Sequence, residues 1–169
     1  MNPLDNDSVK RVQAALTAAG SAARVMTLSE TARSAEDAAR SIGTALGSIV
    51  KSLVFLVGDR PVMALVSGDR RCREKALPGA LGFEGRVKRA DADAVRAATG
   101  FAIGGVAPIG LRQESGLARP VPVAIDADLE RFATVYAAAG HPHCVFATTV
   151  AELARLTGGI VSDAIATAP

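Results

Sequence analysis

The run GSIVKSLVFLVG, residues 47–58, limits the possible folds more than any other stretch of this chain. Side chains alternate across a strand. Ile49, Lys51, Leu53, Phe55 and Val57 therefore share one face, and Val50, Ser52, Val54 and Leu56 share the other. Both faces are largely apolar, so the strand needs cover on both sides. GDRP follows as a turn signal, and PVMALVS continues as a second strand. The expected centre is a hairpin of strands 48–57 and 61–67 with packed layers above and below. A chain of 169 residues, 49% of them hydrophobic, can build such a core in one domain.

The flanking sequence supplies those layers. Val9, Val12 and Leu16 recur at helical spacing behind Ser8 as N-cap, with Gly20 as the stop. ARVMTL, 23–28, reads as a short strand. Ser34 caps a helix over 35–45, with Asp37 in the capping-box place. Residues 73–80 read as a helix ending near Pro78-Gly79, and Asp91 caps another that runs to Thr99 and stops at Gly100. PVPVAID, 120–126, reads as a strand near a sheet edge, because prolines cannot donate ladder hydrogen bonds. Residues 134–140 and 144–148 are two more strands joined by GHPH. Thr149 and Glu152 form a capping box for a helix through Leu156, closed by Gly158-Gly159. The tail 164–169 is expected to fray. Strands and helices interspersed irregularly, with a hairpin, favour an α+β domain over a doubly wound sheet. One domain spans 1–169, with 1–30 its N-terminal helix and strand.

Composition excludes little. The formal charge is +2, so any polyanion-binding face must be local. No apolar run reaches membrane-spanning length, and the polar start MNPLDNDSVK lacks a signal-peptide core. A reduced, cytoplasmic protein is the expectation. Cys72 and Cys144 form no CxxC pair and no metal-ligand spacing.

Three stretches could carry chemistry. Lys51 interrupts an apolar strand, and a buried ammonium loses hydration and shifts its pKa down. It can snorkel to solvent, pair with a structural carboxylate, or face a pocket and meet an anionic ligand. GGVAPIG, 104–110, has glycines that permit positive φ and close approach. Its proline stiffens a loop able to present backbone groups, though it is neither a phosphate loop nor a dinucleotide fingerprint. GHPHC gathers His141, His143 and Cys144. This spacing closes no metal site, and a polar turn lining a pocket is the favoured reading.

In order along the chain, IVKSLVFLV (49–57), PVMALVSGDRRCREKAL (61–77), GGVAPIG (104–110), VPVAID (121–126) and AAGHPHCVFATTVAELARLTGG (138–159) resemble one family. It is the YbaK/prolyl-tRNA synthetase insertion-domain family of aminoacyl-tRNA deacylases, and the likeness runs over residues 30–160. Lys51 matches the family's strand lysine, Gly104 to Pro108 its GxxxP loop, and 144–159 its closing strand–helix pattern. The resemblance implies an α+β fold with helices around a mixed, barrel-like sheet. It implies hydrolysis of the ester between a wrong amino acid and the 3′ end of a tRNA, commonly proline tRNA, with no cofactor and no metal. Lys51 and the backbone of Gly104, Gly105, Val106, Ala107 and Pro108 would do the catalytic work. Ser52, Gly110, His141 and His143 would bind substrate. The partners would be aminoacyl-tRNA and prolyl-tRNA synthetase.

For the tRNA body, Arg70, Arg71, Arg73 and Lys75 form one basic group, and Arg86, Lys88 and Arg89 a second. Both lie beside acids, so a solvated mixed surface is equally open. The chain's length leaves no room for a synthetase catalytic domain, which points to editing in trans. A non-catalytic module binding tRNA ends or nucleotides is the alternative, and hydrolysis of another small ester is a third reading. Monomer and dimer are both open.

Overall fold

The computed structural model describes residues 2–29, 34–112 and 120–169. Helix α1 (Asp7–Ala18) is followed by β1 (Val25–Thr27), α2 (Ala35–Ile42), β2 (Ile49–Val57), β3 (Arg60–Ser67) and β4 (Arg71–Cys72). Next come α3 (Leu77–Leu81), β5 (Val87–Arg89), α4 (Ala92–Thr99) and β6 (Val123–Asp126). The chain closes with β7 (Val135–Ala138), β8 (Cys144–Thr148), α5 (Val150–Thr157), β9 (Ile160–Ser162) and β10 (Ala166–Thr167). The main sheet is mixed, in the order β1-β8-β7-β2-β3-β6-β9, with β5 added against β2. The α+β class and the central hairpin follow the sequence reading.

Local chemistry explains most element ends. The hydroxyls of Ser34 and Thr149 and the carboxylate of Asp91 accept the N–H groups of Asp37, Glu152 and Ala94, respectively. Each satisfies an orphan donor of a first helical turn. Val57 pairs with Arg60, so the hairpin loop is Gly58-Asp59, and Gly58 takes the positive φ such a turn needs.

Several expectations need correction. Asn6, not Ser8, caps α1, and its side chain accepts the Ser8 N–H. The helix over 35–45 stops at Ile42, because Gly43 turns left-handed and ends it. Residues 74–76 are a 3-10 turn, and Pro78 lies inside α3, where a first-turn proline lacks only an orphan donor. Gly82 is the real stop. The strand after the prolines is no edge: β6 lies between β3 and β9, parallel to both, and all four of its residues are buried. Pro122 precedes it and contributes a carbonyl, which accepts the Met63 N–H at 2.9 Å. The tail does not fray, since β10 pairs with β4 and Ile165 is fully buried.

Two cores flank the hairpin. Val50, Val54, Met63 and Leu65 pack with Val9, Val12 and Leu16 of α1 and with Phe101 and Phe146. Phe55, Val57, Val62, Ala64 and Val66 pack with Leu77 and Ile165. Burial of each large apolar side chain contributes about 1.5–3 kcal/mol. A smaller cluster joins Ala38 and Ala39 of α2 to Ile49.

Polar groups are buried where β3 and β6 end. Asp126 is 1% exposed. Its Oδ2 accepts the Ser67 N–H at 3.1 Å and lies 3.4 Å from Arg70 Nε, and its Oδ1 accepts the Asp128 N–H at 3.0 Å. Arg70 also meets Asp128 at 3.2 Å and donates to the Ala166 carbonyl at 2.9 Å. The Ser67 hydroxyl donates to the Gly47 carbonyl at 2.5 Å. Arg131 donates to Ser67 Oγ at 3.1 Å and to Asp69 at 2.9 Å. Gly68 packs against the Leu46 carbonyl with no room for a Cβ.

Two stability outcomes follow. Asp126→Ala leaves Arg70 Nε and the Ser67 N–H without their carboxylate, and should cost about 1–3 kcal/mol in urea unfolding. Ile165→Ala should cost about 2–5 kcal/mol by the same measurement. A loss near zero for Ile165→Ala would show that the tail is not part of the folded core.

Candidate active site

The site grows from an interruption in the sheet. β3 pairs with β2 from Val50 to Val57. On the opposite edge β7 meets β2 only at Ile49 and Val50, and β5 only at Phe55, Leu56 and Val57. Between them, Lys51, Ser52 and Leu53 have no strand partner on that side among the described residues, and the Val54 carbonyl accepts the Ala90 N–H at 3.3 Å just beyond β5. At 3.3 Å per residue the opening is about 10 Å long.

The glycine loop crosses this opening. Gly104 has φ +95°, a value that strains other residues. A Cβ on Gly105 would sit 3.0 Å from Gly140 C and His141 N, so glycine lets the loop touch the GHPH turn. A cleft with two lobes results, of about 360 Å³ and about 190 Å³. Ser52, Leu53, Ile103, Gly104 and Val106 line both lobes. Lys51, Ala38, Tyr136, Ala138, Pro142 and Cys144 also line the larger lobe. Val54, Phe55, Arg89, Ala90 and Val95 complete the smaller.

Lys51 is half-buried, and its Nζ donates to the Arg70 carbonyl. An ammonium has three donors, so two remain for a ligand. Burial pushes its pKa below the ordinary lysine value, against the opposing pull of Cys72, Glu36, Asp69 and Asp126. Ser52 follows on β2, with its hydroxyl oxygen buried and lacking a hydrogen-bond partner. Leaving such a group unsatisfied costs about 1–3 kcal/mol, and a polar ligand atom in the cleft would remove that cost.

The sequence-derived residues divide into those at the cleft and those behind it. Lys51, Ser52, Gly104 and Val106 line it. Gly105, Ala107 and Pro108 are buried and carry the loop. Gly110 lies against α1: Arg11 Nε donates to its carbonyl at 2.7 Å, and a Cβ there would meet Val12 Cα at 3.1 Å. In the GHPH turn, Pro142 lines the larger lobe. His141 Nδ1 instead accepts the His143 N–H at 3.1 Å, and the rings meet edge to face. Burial and the second imidazole lower the His141 pKa. Burial pushes the Cys144 thiol up, and that of Cys72 to about 11, so neither is a ready thiolate. Among the described residues no three His, Cys, Asp or Glu side chains are grouped to hold a metal ion.

The two basic groups also separate. Arg70 is committed to Asp126, Asp128 and the Ala166 carbonyl. Arg71, Arg73 and Lys75 are exposed and lie outside the cleft lining. Arg89, from the second group, lines the smaller lobe. Sequence reasoning did not single out Tyr136, Ala138 or Pro142. The alternation in TVYAAAG placed Tyr136 and Ala138 on one face, but which face met the cleft depended on pairing with β2.

The aminoacyl-tRNA editing domain, as a family, matches residues 29–156. An uncharacterized protein of Bacillus subtilis, YwhH, is 34% identical over 123 residues, 72% of this chain and 73% of its own length. A proline–tRNA ligase of Thermoanaerobacter is 37% identical over 83 residues, 48% of this chain but 15% of the ligase. A solved structure of a proposed trans-editing enzyme for prolyl tRNA synthetase superposes with a TM-score of 0.85 at 37% identity, covering 96% of this chain and 98% of that one. No helix among the described residues is long and apolar enough to cross a membrane. With a lysine-bearing cleft, this fold and a family match over most of its length, the chain belongs to the aminoacyl-tRNA editing domain family.

Proposed function

We propose that this protein is a free-standing deacylase that works in trans in the cytoplasm. It would hydrolyse the ester joining a small non-cognate residue, such as Ala, Cys or Ser, to the 3′ end of proline tRNA. The carrying observation is Lys51, a half-buried ammonium at an opening in the sheet with one backbone partner. The tRNA-ligase relative and the near full-length likeness to a proposed trans-editing enzyme support the substrate class.

An aminoacyl ester is already activated, so positioning and electrostatics supply most of the rate. Lys51 holds a phosphate or ribose oxygen of the terminal nucleotide. The Ser52 hydroxyl meets a polar substrate atom, and the backbone at Gly104 and Val106 orients the aminoacyl group. Water attacks the carbonyl carbon, the ester C–O bond breaks, and the ribose oxygen leaves with a proton. The larger lobe, about 360 Å³, is at the small end for ligand sites. It takes a nucleoside with a short acyl group and excludes bulky side chains by clash. It discriminates weakly among small ones, since one methylene is worth about 1–3 kcal/mol.

The test is deacylation of proline tRNA charged with Ala, Cys, Ser or Pro. Ala, Cys and Ser should be released with only modest differences in rate among them, and Lys51→Ala should lower kcat/KM by about 10²–10³-fold, as for loss of one electrostatic donor. Undiminished release by Lys51→Ala would remove the lysine from the mechanism. Binding of tRNA with no release of any residue would favour a non-catalytic binding module.

The pH profile has a definite sign. The ammonium is the working form and its pKa is depressed by burial. Activity is therefore complete below that pKa and is lost as pH rises through it, earlier than for an exposed lysine. The profile is measured as kcat/KM after subtraction of uncatalysed ester hydrolysis. An alkaline decline that persists in the residual activity of Lys51→Ala would assign the limb to another group.

A further inference from the structure

We infer that the smaller lobe is the channel by which the single-stranded 3′ end of the RNA reaches Lys51, with Arg89 holding a phosphate upstream of the terminal nucleotide. This rests on the deacylase reading above and adds the path of the polynucleotide to it.

Register places the two cations. Arg89 stands opposite Phe55 in the β2–β5 pairing. Lys51 and Phe55 are an even number of residues apart, so Lys51 and Arg89 share a face. Four residues along the strand separate their levels by about 13 Å. Backbone levels that far apart let the two side chains engage successive linkages of one strand. The Cys72 thiol lies within the field of both, which places β4 beside them.

Arg89 is free to act where Arg70 is not. It is exposed and makes no ion pair among the described residues, whereas Arg70 is enclosed by Asp126 and Asp128. The nearest acid in sequence, Asp91, uses its carboxylate to cap α4.

The rest of the lobe suits a base or ribose. Val54, Ala90 and Val95 are apolar, and Ile103, 62% exposed, stands at the rim of both lobes. An isoleucine left this open on a loop held by two packed glycines offers a platform to a nucleotide passing from one lobe to the other. Single strands are bound without regard to sequence by a cationic groove beside stacking surfaces, and here Arg89 supplies the cation and Ile103 an apolar contact. A volume of about 190 Å³ excludes a duplex. The body of the tRNA therefore lies on the β5 side, where Arg86 and Lys88 are also exposed, and away from Arg71, Arg73 and Lys75.

The experiment uses a fluorescent, uncharged RNA hairpin ending in single-stranded CCA and the full chain. Its Kd is measured across a salt series for wild type, Arg89→Ala, Arg89→Lys and Arg73→Ala/Lys75→Ala. Arg89→Ala should weaken binding about tenfold, the worth of one charged hydrogen bond. It should also flatten the salt slope by about 0.7, one single-strand phosphate contact. Arg89→Lys should restore the slope, and the 73/75 variant should bind as wild type does. A wild-type Kd and slope in Arg89→Ala, or the loss appearing in the 73/75 variant instead, overturns the inference.

Hydrolysis of 3′-O-alanyl adenosine, which has no phosphate, is measured with wild type alongside. Hydrolysis without RNA binding overturns the channel and leaves the deacylase reading standing. Arg89-dependent RNA binding with no hydrolysis of any ester keeps the channel and overturns the deacylase reading.

Discussion

Everything at the cleft depends on β2 losing one of its two strand neighbours for three residues. Backbone N–H and C=O groups in a sheet demand partners, and β2 has them on both edges before Lys51 and from Val54 onward. In between, an edge that a continuous sheet would cover is left to the glycine loop and the cleft. An interior strand edge open to solvent invites pairing with another chain. Here Ile103, Gly104 and Val106 of the loop face it across the two lobes of the cleft. The hairpin supplies rigidity, because β3 stays paired behind the opening and apolar cores fill both faces.

The lysine at this opening is held from behind. Its Nζ is tied to the Arg70 carbonyl, and Arg70 is tied to Asp126, on the far side of β3. The chain of contacts therefore runs from a buried carboxylate, through a guanidinium and its backbone, to the group at the cleft. The same arginine that reads in sequence as a surface cation is a structural strut. Gly47 and Gly68 make the arrangement possible, since a Cβ on either would collide with its neighbours. This is why the SGDR turn is built from small and charged residues between two apolar segments.

Short-range features were legible because their causes are local. Ser34, Asp91 and Thr149 cap helices through a side chain and an N–H three residues on, and Gly100 and Gly158 end two of them in the left-handed region. Lys51 stood out because a charge in a two-faced apolar strand has few explanations. The misreadings share a different cause. β4, β5, β9 and β10 are two or three residues long and carry no periodic signal, so only their partners make them strands. β6 looked like an edge because prolines precede it, but Pro122 offers a carbonyl where a donor was not required. The tail looked frayed because its polar residues mask Ile165.

By itself, then, the amino-acid order determined the two-faced hairpin, the caps at Ser34, Asp91 and Thr149 and the family motifs, all of which follow from alternation, capping and residue type within a few positions. Only the tertiary structure decided that β7 stops pairing at Val50 and β5 begins at Phe55, that Arg70 turns inward while Arg89 stays free, and that Pro142 rather than His141 lines the cleft. Those outcomes depend on which distant segments compete for one strand edge and one carboxylate. That competition is settled by packing and hydrogen-bond satisfaction across the whole domain, and no short window of sequence contains it.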